Sequence, residues 1–220
     1  MNNKTEIVFI LDKSGSMVGL EKDTIGGFNS MLNKQKIEDG EAYLSTVLFN
    51  HKTTVIHNRV PIQKVKPLTD DTYYVGGSTA LLDAIGYSIQ HIIKVHKQLK
   101  DNKPSKTIFF ITTDGMENDS KRYAYSKIKQ MINTQQEKYH WEFIFLGANI
   151  DSIDEADRLG IRKEHTFDYT CDSAGTKKNF HAISNVLSKF RAYLSCDEED
   201  SYIEEAFEEV KDYHNAHKSK

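Results

Sequence analysis

Apolar and polar positions along the chain alternate between two periods. Ile7-Val8-Phe9-Ile10-Leu11 and Thr107-Ile108-Phe109-Phe110-Ile111 are short continuous apolar runs, the pattern of strands buried on both faces. Ile25, Phe28, Met31 and Leu32 instead recur at the three-and-four spacing of an amphipathic helix, which ends near Gly40. The same spacing marks Leu82, Ile85, Ile89, Ile92 and Ile93, a second long helix stopped before Pro104. Strands are predicted over 5–11, 42–49, 53–62, 106–113, 141–147 and 164–168. Helices are predicted over 120–138, 151–159 and 174–194, the last with Phe180, Ile183, Leu187, Phe190 and Leu194 on one face.

Asn50-His51-Lys52 is too short to hold a crossover helix, so the strands on either side of it pair antiparallel at one edge. The remaining alternation of strand and helix predicts an α/β fold: a doubly wound, Rossmann-like, mostly parallel sheet with one antiparallel edge strand and helices on both faces. Ligands in such sheets bind beyond the carboxyl ends of strands where the strand order reverses. If the first strand neighbours the fourth at that reversal, Asp12 and Asp114 emerge side by side from positions about a hundred residues apart.

Three loops carry the candidate chemistry. Asp12-Lys13-Ser14-Gly15-Ser16 follows the first apolar run directly, Gly76-Gly77-Ser78-Thr79 leads into the second long helix, and Thr112-Thr113-Asp114-Gly115 closes the fourth strand. Together they offer two carboxylates and three hydroxyls, hard oxygen donors of the kind Mg²⁺ prefers. Asp-x-Ser-x-Ser alone is equally the chemistry of a turn, since Asp and Ser bond their own backbone in loops. Thr79 and Asp114 at strand-exit loops favour the metal. Asp83, one helical turn beyond Thr79, is placed to orient Thr79 or its loop.

Asp12, Ser14, Ser16, Thr79 and Asp114 in Thr-Asp-Gly-Met-Glu-Asn resemble the metal-ion-dependent adhesion site (MIDAS) of von Willebrand factor A domains, and the resemblance spans roughly residues 4 to 195. It implies one such domain over 1–196, followed by an acidic C-terminal helix or tail over 197–220. It further implies that the five residues hold Mg²⁺ or Mn²⁺ and that the ion accepts a carboxylate from a protein partner. The activity implied is non-catalytic, metal-dependent protein binding, as an adaptor. The alternatives are a metal-dependent hydrolase with Glu117 or Asp83 as its base, and a structural scaffold that takes up no metal.

Composition narrows this further. No run approaches the roughly 18–20 apolar residues of a membrane span, and the first residues lack an apolar leader, so the chain reads as cytoplasmic. Cys171 and Cys196 suit free thiols better than a disulfide. The net charge of -3 conceals an asymmetry: nine acids against Lys211 alone between 197 and 212, and a mildly basic body. No dense basic stripe points to nucleic acid, and no phosphate-binding, dinucleotide or nucleophile-elbow motif points to a small-molecule substrate. Ile203, Phe207 and Val210 predict that the tail packs as a last helix. A sharper alternative places its carboxylates on the metal. The histidines at 91, 96, 214 and 217 read as surface or packing residues. Met17, Val18, Tyr73, Tyr74, Met116, Glu117 and 149–152 are expected to form the rim of the crevice.

Overall fold

The computed structural model describes residues 4–192 and 199–218. Leu194, Cys196 and the expected boundary at 196/197 lie outside the described residues. In chain order the elements are β1 (Thr5–Asp12), α1 (Glu21–Ile37), β2 (Ala42–Phe49), β3 (Thr53–Pro61), α2 (Leu81–Leu99), β4 (Lys106–Thr113), α3 (Tyr125–Tyr139), β5 (Trp141–Gly147), α4 (Ser152–Leu159), β6 (Thr166–Asp168), α5 (Ser173–Ala192), α6 (Glu199–Ala206) and α7 (Glu208–His217).

All eight residues of β1 are buried, as expected for the centre of a sheet covered on both sides. The strand order is β3-β2-β1-β4-β5-β6, parallel throughout except for the antiparallel pairing of β2 with β3. Alternation along each strand sends side chains to two cores. Phe9, Phe110 and Ile144 meet Phe28 of α1 and Ile183 of α5 on one face; Val8, Phe109 and Phe143 meet Ile85 of α2 and Ile128 of α3 on the other. The reversal of strand order falls between β1 and β4, whose Leu11 and Thr112 are register partners. The next residue of β1 and the second residue beyond Thr112 are Asp12 and Asp114, so both carboxyls leave the sheet at the same crevice.

The differences from the sequence reading have local causes. The helix expected from residue 120 begins at Tyr125, because backbone amides of 119–123 are taken by the carboxylates of Glu117 and Asp83. Such side-chain bonds compete with helix formation. The strand expected over 164–168 is shortened to Thr166–Asp168 by a turn of 3₁₀ helix. The tail forms two helices rather than one, broken at Phe207. Ile203, Phe207 and Val210 point into the same core as Phe28, and the Phe207 ring stacks on Phe167 with centroids 4.1 Å apart. Glu205 and Glu209 pair with Lys189 and Lys178 of α5, on the outside of the domain.

Arg191 ties the last long helix to the first. Its buried guanidinium donates to the Gln35 carbonyl at 2.6 Å and to the carbonyls of Glu38, Asp39 and Gly40 at 3.0–3.1 Å, closing the C-terminal end of α1. Arg191→Met leaves these carbonyls without a donor. It is expected to cost about 2–4 kcal/mol, a Tm fall of roughly 5–15 °C in thermal melts; an unchanged Tm would show that water replaces the guanidinium.

Candidate metal centre

The crevice is assembled from three loops that hold one another by backbone bonds. Gly15 N donates to the Gly77 carbonyl at 2.9 Å, and Gly76 N donates to the Lys13 carbonyl at 2.9 Å. Asn50 clamps the glycine loop from the hairpin: its Nδ2 donates to the Gly76 carbonyl at 2.6 Å, while its own carbonyl accepts from Ala80 N at 2.9 Å. Gly77 has φ +85°, and a Cβ there would collide with the His51 ring, so both its conformation and its surroundings require glycine. The third loop is bonded to Thr79 in both directions, since Thr79 N donates to Asn118 Oδ1 and the Thr79 carbonyl accepts from Asn118 N.

Within this frame the five predicted residues come together. Asp12 Oδ1 accepts from Ser14 N and Oδ2 from Thr113 Oγ1, both at 2.7 Å. Ser14 Oγ lies 2.9 Å from Ser16 Oγ, which donates to Asp114 Oδ1. Thr79 faces the same point: a Cβ on Gly115 would stand 3.3 Å from Ser16 Oγ and 3.5 Å from Thr79 Oγ1. The absence of a side chain at 115 leaves the hydroxyls and carboxylates open to one another.

Burial raises the carboxyl pKa of both acids. Desolvation dominates at Asp12, opposed by its bonds from Ser14 and Thr113 and reinforced by the charge of Asp114; at Asp114 desolvation again dominates, opposed by Ser16 and Cys171. Among the described residues no ion pair reaches either carboxylate. Cys171 Sγ lies 3.5 Å from Asp114 Oδ2, and burial beside that acid pushes its thiol up to about 12, so it is a neutral neighbour. Two anionic and three neutral oxygen groups therefore converge in a desolvated crevice, a donor set that could hold a hard divalent cation. Among the described residues no group of three or more His, Cys, Asp or Glu side chains offers an alternative.

Other expectations divide. Asp83 does not touch Thr79; it orders the 121–123 backbone instead. Glu117 donates nothing to the crevice: it accepts from Leu82 N, Asp119 N and Ser120, capping the start of α2 from across the chain. Of the rim, Val18, Tyr74 and Met116 are exposed, whereas Met17, Tyr73 and Ser152 are buried. Tyr73 Oη donates to the Asp12 carbonyl at 2.6 Å, a supporting role that one of two adjacent tyrosines in a polar loop does not announce. Asn50 and Asn118 were also missed; Asn118 closes the Thr-Asp-Gly-Met-Glu-Asn string, which was its one signal.

The sequence profile of the von Willebrand factor type A domain matches residues 6–185. No curated protein sequence matches the chain. Among solved structures, the vWF domain of the type V pili tip protein Mfa5 from Porphyromonas gingivalis superposes with a TM-score of 0.59 at 10% identity, over 90% of this chain and 99% of that one. Proximal thread matrix protein 1 from the mussel byssus gives 0.55 at 14%, over 86% and 46%. A von Willebrand factor type A protein from Catenulispora acidiphila gives 0.52 at 14%, over 82% and 42%. The chain thus spans less than half the length of the latter two, and at these identities the likeness is one of fold.

The raised pKa values set a sign for stability. Between the ordinary carboxyl value and the raised one, the folded protein holds more protons than the unfolded chain, so without metal it loses stability as pH rises through that window. Asp114→Asn removes one such acid. In EDTA its melting temperature is expected to exceed that of the parent at neutral pH, and the gap to close below the ordinary carboxyl pKa. A variant that melts lower at neutral pH would show that the carboxylate is not strained by burial.

Proposed function

We propose, for a chain that belongs to the von Willebrand factor type A domain family, that it is a non-catalytic protein-binding module whose partner engages a divalent cation held by Asp12, Ser14, Ser16, Thr79 and Asp114. The family often mediates protein–protein interaction. The observation that carries the reading is the pair of desolvated carboxylates, which share a crevice with three hydroxyls and have no ion-pair partner among the described residues. Mg²⁺ or Mn²⁺ bound there supplies a Lewis-acidic position for a partner's Asp or Glu carboxylate, because neutral hydroxyl ligands withdraw little of its charge.

The chain's own residues supply the rest of the interface. Val18, Tyr74 and Met116 are 68%, 61% and 64% exposed on the three ligand-bearing segments, and large apolar side chains around a polar centre suit a protein contact. Lys13 Nζ lies 4.0 Å from the Tyr74 ring centre and steadies that ring. Against hydrolysis stand the two candidate bases: Glu117 and Asp83 spend their carboxylates on backbone amides. Cytoplasmic residence belongs to the same proposal. Sparse cysteine usage and the free thiol of Cys171 support it, and among the described residues no helix is long and apolar enough to cross a membrane.

Calorimetric titration of Mg²⁺ and Mn²⁺ into the metal-stripped full chain tests the reading. Saturable binding is expected, weakened at least roughly tenfold by Asp12→Ala and by Thr79→Ala, together with recovery of a partner from lysate in Mg²⁺ that EDTA abolishes. Failure of the intact protein to take up either ion at millimolar concentration would overturn it.

A further inference from the structure

The opposite end of the sheet holds a second cavity, of about 720 Å³, between the C-terminal ends of α2 and α3 and the starts of β4 and β5. Thr107 at its floor and Asp114 at the metal crevice stand at opposite ends of one strand, roughly 20 Å apart at the rise of an extended chain.

Its walls contain polar groups the fold does not use. Thr107, Gln135 and Trp141 are 2%, 5% and 4% exposed and all line the cavity. None of the three side chains has a hydrogen-bond partner among the described residues. Their polar atoms therefore open onto the cavity instead of being spent inside the fold, and a molecule seated there can take up those bonds. The Trp141 ring itself is fixed, stacked on Phe109 at 5.4 Å and met edge-on by His96 at 5.4 Å, so its N–H is held in place rather than adaptable.

The mouth is basic. Lys97, Lys100, Lys103 and Lys138 line it against one acid, Asp101. Lys97 and Lys138 fall in the last turns of their helices, where a cation offsets the helix dipole. That accounts for two. Lys100 and Lys103 follow the end of α2, and Lys97, Lys100 and Lys138 have no ion-pair partner among the described residues. The half-exposed Tyr139 ring stands among them, with Lys103 Nζ 5.9 Å from its centre.

We propose that this cavity binds a small phosphorylated organic molecule, its phosphate held by the lysines at the mouth and its polar body by Thr107, Gln135 and Trp141. Lysine ammoniums act as mobile point charges on phosphate, and the volume lies in the range of small-molecule sites. The site is separate from the metal crevice and does not rest on the metal reading.

Trp141 is the single tryptophan of the chain, so its fluorescence reports on the cavity alone. The probes are AMP, ribose 5-phosphate and inorganic phosphate, titrated into the full chain in EDTA. The expected result is a saturable change with AMP or ribose 5-phosphate, tighter than with inorganic phosphate. It persists in Asp12→Ala and is weakened at least roughly tenfold in the double variant Lys100→Gln, Lys138→Gln. Both lysines are exposed, so the variant keeps its fold, which circular dichroism checks. No response to any probe, an affinity the lysine variant does not alter, or equal affinity for inorganic phosphate would each overturn the proposal.

Discussion

Asp12 ends a strand with no exposed face, and the residue is 1% exposed. Placing a second carboxyl, Asp114, at the end of the neighbouring strand sets two anions in a region where water cannot solvate them fully. Much of the upper end of the molecule answers that constraint. Ser14 N and Thr113 Oγ1 bond one acid, Ser16 Oγ and the Cys171 thiol lie against the other, and Tyr73 fixes the backbone carbonyl of Asp12 from below. These bonds favour the ionised forms, yet desolvation outweighs them at both acids. Tension of this kind is what a cation relieves, and it requires no chemistry beyond placement.

The three loops that meet the acids are positioned by the same economy of side chains. The Asp83 carboxylate bonds three backbone amides of another segment, and the side chains of Asn50, Asn118 and Glu117 each bond one backbone group of another segment. Loops stitched to one another in this way behave as a single rigid rim, so the hydroxyls of Ser14, Ser16 and Thr79 are oriented before anything binds. The exposed Val18, Tyr74 and Met116 then stand on a fixed base.

Period and punctuation made most of the scaffold legible. The strands at 42–49, 106–113 and 141–147 coincide with their apolar runs, and β1 does neighbour β4, the condition on which Asp12 and Asp114 meet; that Ser14, Ser16 and Thr79 join them is what the family resemblance implies. What escaped notice was decided by contacts with no sequence period. Residues 120–123 read as the start of a helix, but Glu117 and Asp83 draw their amides away. Tyr73 and Tyr74 are adjacent tyrosines in a polar loop, one buried and one exposed, and nothing in their order tells which. The basic cavity is built from segments that are each ordinary alone: lysines at helix ends, and a Gln, a Thr and a Trp on core-facing elements.

The stacking of Phe207 on Phe167, with Ile203 and Val210 beside it, bears on how the molecule is made. These side chains belong to the core that also holds Phe9 and Phe28 from the first tenth or so of the chain. Each apolar side chain of that size contributes about 1.5–3 kcal/mol when buried, so a chain without α6 and α7 carries an open core face. Vectorial synthesis therefore presents the cell with a sheet already complete in its strands but unsealed on one side. That side of the core is sealed only once α6 and α7 close over β6.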